Sequence, residues 1–424
     1  MSLREALRSC IYGVILVLHC VTALVAAQPG AEADDDDAST VTDTGDANHA
    51  AVRPHIDLLP GLTLNTLLQV RYVNTFHRGS DNPQPGYALR EDYLVNEGDG
   101  FVVRRAYLRM NAEPTDFFKA RLVVDVARFE RGGLGGSIRQ AWGRIGFIPK
   151  HVELSAGVLK LPLSIMKLDS SSELEVADNG PLTELVTDLD YAGRDVGVSV
   201  MLAPFDKSKL AQLTVGAYRG HAYDEHASPV GALAARIESH PVKGLRLGLS
   251  AQHQPYEQHY KRPFETSDRD VLPMPSDPLY PRERSWSKGT AYAADATYHR
   301  RGLMVRAEGI LGDRVDSDVR YGARSFAGAW ALLSYKFAAG SVDLQPAARA
   351  EWLDVDMDHD IGTRLTLSLA IAVLLSEHVR MLLDATHVEV QAQSPFADPP
   401  RPMTEIPYFE IDHTRVTGQL QIEI

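Results

Sequence analysis

Fourteen cationic side chains recur at alternate positions along stretches whose other positions are apolar: Arg71, Arg105, Arg109, Lys119, Arg121, Arg144, Arg236, Arg246, Arg306, Lys336, Arg349, Arg364, Arg380 and Arg415. Ten acids share that phase: Asp125, Glu153, Asp195, Glu238, Asp295, Glu308, Asp343, Glu351, Asp384 and Glu423. Ions at this density cannot line a dry interior, because an unpaired buried ion costs several kcal/mol. They need water beside them. Arg71, Arg105, Arg109, Lys119, Arg121 and Arg415 meet few acids, and a basic wall of that kind draws anions. The competing reading is that these arginines pair with loop acids and merely stiffen the wall.

A second charged group points the other way. Residues 161–193 carry Asp169, Glu173, Glu175, Asp178, Glu184, Asp188 and Asp190 against Lys167 alone. A connection this long inside a compact domain is either functional or disordered, and its Leu and Val content favours order. Folded into a lumen, it would form the constriction. Asp354, Asp356, Asp358 and Asp360 alternate in another connection. Such carboxylates can hold calcium, but they also suit a solvated loop tip or divalent bridges to lipopolysaccharide, so no metal site is assigned. No Gly-rich phosphate loop, Gly-x-Ser-x-Gly elbow or His-Glu-x-x-His motif occurs, and no cofactor or catalytic residue is expected. The neighbours Thr297 and His299 keep one enzymatic alternative open, a hydrolase borne on a membrane barrel.

The elements that would position these groups are strands. Period-2 alternation dominates: Leu365, Leu367, Leu369, Ile371 and Val373 alternate with Arg364, Thr366, Ser368, Ala370 and Ala372. A one-residue slip would put every charge on the apolar face, so the register is well defined. Sixteen strands are expected, near 62–76, 101–112, 117–128, 137–148, 151–160, 194–203, 208–219, 231–239, 243–253, 289–300, 302–312, 325–338, 341–352, 362–375, 377–390 and 413–424. Their connections alternate short and long. That is the pattern of an antiparallel transmembrane β-barrel, with tight periplasmic turns and long external loops. Tyr72, Phe118, Phe147, Tyr292, Tyr298, Tyr335, Phe337 and Trp352 fall in the apolar phase near strand ends, as interfacial girdles do. Sixteen strands enclose a water-filled channel.

The start of the chain is different. Arg4 and Arg8 precede an apolar stretch from Ile11 to Ala26, and Val25-Ala26-Ala27 is a small-residue cleavage site. Residues 1–27 therefore read as a signal peptide. Residues 28–55 read as an acidic, disordered linker, with Asp34 to Asp37 in a run. Residues 56–424 form the barrel. Both cysteines, Cys10 and Cys20, lie in the signal. Across the 424 residues the formal net charge is -13, which argues against nucleic acid as a partner.

The run Phe101-Val-Val-Arg-Arg-Ala-Tyr-Leu-Arg-Met resembles the second strand of the phosphate-selective porin O/P family. Gly157-Val-Leu-Lys-Leu-Pro-Leu, a long loop, Gly193-Arg-Asp-Val-Gly-Val and Val215-Gly-Ala-Tyr-Arg-Gly resemble later parts of it. The similarity runs through roughly residues 61–424 by strand order and loop position. It implies a sixteen-stranded, trimeric bacterial outer-membrane pore, embedded in lipid and lipopolysaccharide, with the loop after the fifth strand folded inward. The activity implied is passive diffusion of small hydrophilic or anionic solutes, phosphate-like anions among them. Two features depart from the family. The loop is acidic where phosphate-selective members carry a lysine cluster, and the chain ends on Ile424 where an aromatic is usual.

Overall fold

In the computed structural model, the described residues are 56–59, 61–78, 100–128, 137–148, 151–169, 174–204, 211–220, 231–258, 285–315, 323–355, 357, 362–393 and 408–424. The expected signal (1–27) and the expected linker (28–55) lie outside them. The sheet contains eighteen hydrogen-bonded segments. Ile56–Leu59 is a short N-terminal addition, and Phe337–Ala339 continues Ala323–Tyr335 beyond Lys336. Eighteen less these two leaves sixteen barrel strands.

In chain order they are β1 (Leu62–Arg78), β2 (Gly100–Thr115), β3 (Phe118–Asp125), β4 (Ile138–Ile148), β5 (Val152–Lys160), β6 (Arg194–Leu202), β7 (Gln212–Tyr218) and β8 (Ala232–Val242). There follow β9 (Leu245–Gln258), β10 (Ser285–Arg300), β11 (Leu303–Val315), β12 (Ala323–Tyr335), β13 (Val342–Asp354), β14 (Gly362–Leu374), β15 (Val379–Gln393) and β16 (Tyr408–Glu423). Each pairs antiparallel with its chain neighbour, and β16 pairs with β1 from Asp412↔Arg78 to Glu423↔Leu67, closing the cylinder. Closure leaves the sheet without an open edge, the condition for it to sit in hydrocarbon. Among the described residues no helix is long and apolar enough to cross a membrane. The strands make the crossing. The short connections share one end and the long ones the other, which makes the short-turn end periplasmic.

The two faces follow the alternation. On β14, Leu369 is 67% exposed while Thr366 and Ser368 are each 1% exposed. Ser368 and Thr386 share a hydrogen bond of 2.9 Å on the inner side. Outward large residues such as Tyr72, Phe101, Leu122, Phe147, Leu249 and Leu383 stay exposed and form the belt.

The inner face is not uniformly wet, as the charge count suggested it would be. Phe326, Trp330 and Leu332 point inward from β12 and pack with Leu163, Ile165, Met166, Leu182, Val186 and Tyr191 of the 161–193 loop. The largest dry core therefore lies between this loop and the β10–β15 wall, inside the barrel. Gly328 makes the contact possible, since a Cβ there would stand 2.7 Å from Leu182 Cδ1.

At the periplasmic end, Thr66 N–H donates to the Ile424 carbonyl at 2.6 Å. Just below, Ile56–Leu59 takes over the same edge of β1, with Ile56 opposite Leu64. The N-terminal segment thus continues the line that β16 leaves.

Candidate functional site

The 161–193 loop holds two short helices, α1 (Ile165–Leu168) and α2 (Pro181–Asp188), and neither start is capped by its own preceding side chain. The barrel wall supplies the caps. Glu308 on β11 accepts Ile165 N–H at 2.7 Å, the Ser164 hydroxyl at 3.0 Å and the Trp330 indole N–H at 2.9 Å. Glu351 on β13 accepts Leu182 N–H at 2.5 Å. A carboxylate at a helix start satisfies an orphan N–H and meets the positive end of the dipole. Gly180, at φ +90°, precedes α2 where a Cβ would collide with Glu351 Oε2.

The loop follows the inner wall from β9 round to β2. Gln252 and Gln254 donate to the Asp190 and Leu189 carbonyls at 2.9 and 2.7 Å. Asp169 pairs with Arg246 at 3.3 Å and also with Arg306. Glu175 pairs with Arg306 at 3.4 Å. Glu184 pairs with Lys167 at 3.1 Å and accepts from Asn179 at 3.0 Å. At the far end Asp178 receives Arg71 at 3.0 Å, Arg104 at 3.9 Å and Arg415. Burial alone would raise the Asp178 carboxyl, but Arg415, Arg71 and Arg104 outweigh it and hold it well below the ordinary carboxylate range. Asp188 closes α2, and Asp190 follows at φ +57°. Glu173 lies outside the described residues.

The expected basic wall is therefore not bare. Arg71 and Arg415 meet Asp178, Arg109 meets Glu423 at 3.5 Å, and Lys119 meets Glu113 at 3.2 Å. Alternation along the strands could not show that the loop brings Asp178 across. Arg105 donates to Gln69 at 2.6 Å. Arg121 donates to Asn111 at 2.7 Å, with its guanidinium 5.6 Å from the Trp142 ring centre.

A different group of cations stands clear of carboxylates. Arg105, Arg139 and Arg194 lie close enough to act together on the Tyr107 hydroxyl. Among the described residues no carboxylate lies within ion-pair distance of these three. Burial lowers the Lys167 ammonium, Glu184 opposes that, and Arg139 and Arg194 lower it further, so the loop's own ion pair sits beside this cluster. Arg128 is adjacent and pairs with Asp125 at 3.4 Å.

Two luminal cations, Arg104 beside Asp178 and Arg139 of this cluster, escape period-2 reasoning because of β-bulges. The β1–β2 register shifts between Gln69↔Arg105 and Val70↔Val103, leaving Arg104 as the extra residue. The β3–β4 register shifts between Val123↔Gln140 and Val124↔Ile138, leaving Arg139 extra. A bulge opposes two residues to one and re-aims a side chain. It thus adds an arginine to the lumen where strict alternation would send it to lipid. The Arg-Arg doublet at 104–105 was the available signal.

Thr297 is buried and accepts from Arg246 at 3.5 Å, so its hydroxyl is engaged by a guanidinium. Asp354 is buried at the end of β13, while Asp356, Asp358 and Asp360 lie outside the described residues. Among the described residues no His/Cys/Asp/Glu group could hold a metal ion.

A closed sixteen-strand barrel with a loop docked on its inner wall is the architecture of a diffusion pore. Residues 81–264 match the family model described as phosphate-selective porin O and P. Across that stretch the chain is similar to this porin family, and the whole barrel has a porin's fold. No curated protein matches its sequence. Among solved structures, the anion-selective porin from Comamonas acidovorans superposes on this porin with a TM-score of 0.54 at 11% identity, covering 86% of this chain and 99% of that one. Salmonella typhi OmpF, in complex with daunomycin, gives 0.53 at 11% identity, covering 87% and 100%. Identities this low speak to the fold alone. The porin keeps it with almost wholly different side chains, so its selectivity rests on its own residues.

Proposed function

We propose that this porin passes small hydrophilic anions, phosphate-like ones included, through an eyelet lined by Arg105, Arg139 and Arg194. One observation carries the reading. The loop acids Asp169, Glu175, Asp178 and Glu184 are each turned to a cation, while those three arginines face the lumen with no carboxylate partner among the described residues. Charges act most strongly where the passage is narrow and screening water scarce, since the Debye length is ~8 Å in physiological salt. The net field at the eyelet is positive. The match to a family described as phosphate-selective supports the same class of solute. The porin works without catalytic chemistry, as a homotrimer in the bacterial outer membrane, among lipid and lipopolysaccharide. Residues 1–27 direct export and are removed, and the acidic segment 28–55 stays in the periplasm.

The test is the zero-current potential of the purified porin in a planar bilayer under a KCl gradient. Anion preference is expected, and Arg105→Ala with Arg139→Ala and Arg194→Ala should shift the potential toward cations. A cation-selective wild type indifferent to those changes would refute the eyelet. A monomer on native gels and by cross-linking would refute the trimer.

A further inference from the structure

At the periplasmic end, one sector of the rim carries a line of cations. The β8–β9 turn contributes Lys243, the β10–β11 turn Arg300 and Arg301, and the break in β12 contributes Lys336. Backbone hydrogen bonds stitch these turns into one edge. His299 N–H donates to the Gly244 carbonyl and Lys336 N–H to the Gly302 carbonyl, both at 2.8 Å. All four cations are exposed. Lys336 pairs with Asp343 at 3.1 Å, but among the described residues Lys243, Arg300 and Arg301 have no ion-pair partner.

Three observations set this edge apart from an ordinary solvated surface. Among the described residues the charge is sectoral: at the same end the β2–β3 turn offers Glu113 and Asp116, and the β14–β15 turn Glu377 and His378. The cations also lie at the foot of the lipid-facing belt. Val242 and Leu333 are each 52% exposed there, and Tyr335 stacks on Phe337 with ring centres 6.0 Å apart. An outward aromatic pair beside a cation marks the headgroup level of a bilayer. Finally, Arg301 holds φ +50° and Gly302 φ +82° in the two-residue β10–β11 turn. Such a turn favours Asn or Gly at its first position. An arginine held in a strained conformation points to a function for its charge.

We propose that Lys243, Arg300 and Arg301 form a docking site for the headgroup phosphates of anionic phospholipids in the periplasmic leaflet. The long side chains lie along the aromatic edge and present their charges at headgroup depth. The site anchors the β8–β11 sector at a fixed depth and leaves the pore untouched.

The experiment is thermal unfolding of the full-length porin in detergent with added phosphatidylglycerol, phosphatidylcholine or inorganic phosphate, with unitary conductance measured alongside. Phosphatidylglycerol should raise the midpoint well above either control. Each cation removed should weaken the lipid effect about fivefold, as expected for a charge near an anionic surface. The K243Q/R300Q/R301Q variant should lose the gain and keep wild-type conductance. Arg301→Gly supplies a result of opposite sign. It should stabilise the porin in detergent alone, by relieving the turn, yet reduce the gain from phosphatidylglycerol. An undiminished gain in either variant, or an equal gain from phosphatidylcholine or phosphate, would overturn the site. So would a gain seen only after residues 28–50 are deleted, since the acidic segment would then be the rim's occupant.

Discussion

Glu308 on β11 accepts the backbone N–H of Ile165 at 2.7 Å, across 143 positions of chain. A carboxylate on the barrel wall thereby caps a helix in the loop that narrows the pore. Glu351 does the same for Leu182. These two acids fasten the loop and are not available to repel anions.

Removing such a cap should loosen the constriction. Glu308→Ala leaves Ile165 N–H, the Ser164 hydroxyl and the Trp330 indole without their shared acceptor, and an unsatisfied buried donor costs about 1–3 kcal/mol. The expected outcome is a noisier open channel of higher mean conductance, with the barrel still heat-modifiable on gels. Quiet wild-type traces from Glu308→Ala would show that the apolar contact suffices to hold the loop.

The apolar contact has its own probe. Gly328→Val sets a side chain against Leu182, whose Cδ1 stands 2.7 Å from where the new Cβ would sit. Overpacking of this kind costs ~1–3 kcal/mol. The loop should be pushed off β12 and the conductance raised, with ion selectivity weakened because the eyelet widens. Unchanged conductance would count against this docking geometry.

Lipid exposure makes a sharp contrast along β14. Leu369→Arg should cost ~2–4 kcal/mol near mid-membrane, while Ser368→Ala should cost far less. Reversible unfolding of both variants in lipid vesicles measures the difference. Equal costs would mean that the strand is rotated.

The Asp178 latch should be indifferent to moderate acid. Its carboxyl is held well below the ordinary range, so its contribution to stability is complete above the unfolded value of about 3.9 and is lost only as pH falls through the lowered folded value. Loop-dependent conductance should therefore be flat from neutral pH down to about pH 4. Asp178→Asn mimics protonation at any pH. It should release Arg71, Arg104 and Arg415, deepen anion preference and increase current noise. A wild type that loses its latch between pH 6 and 5 would contradict the three-arginine clamp.

Much of this was legible in the sequence because its logic is local. Alternation such as Leu367-Ser368-Leu369 declares both strand and facing, and the spacing of turns declares the barrel. Residues whose role depends on distant partners were not legible. Arg104 and Arg139 face the lumen through bulges, which depend on pairing rather than on the residue itself. Phe326, Trp330 and Leu332 break the expected wet inner face because a segment over a hundred residues earlier covers them. Glu308 and Glu351 read as lumen charges because their acceptor role is set by backbone donors that no motif marks. The acidic loop raised the prospect of cation preference, but its acids are largely consumed by the wall.

The seam between β16 and β1 bears on how the molecule is made. Gln69 donates to Gln421 at 2.6 Å across 352 positions, and Asp178 binds Arg71 and Arg415 from opposite ends of the chain. Contacts this far apart are slow to form, because loop-closure entropy must be overcome before they stabilise anything. Cylinder closure is then the last event in assembly, and only closure gives Asp178 all of its arginines. Until that moment Asp178 lacks Arg415, and the half-built barrel is a sheet with two open edges, each a template for pairing with another chain. The latch is therefore a marker of completion. During refolding into vesicles, protection of Asp178 from carboxyl-modifying reagents should appear together with heat-resistant migration and never ahead of it.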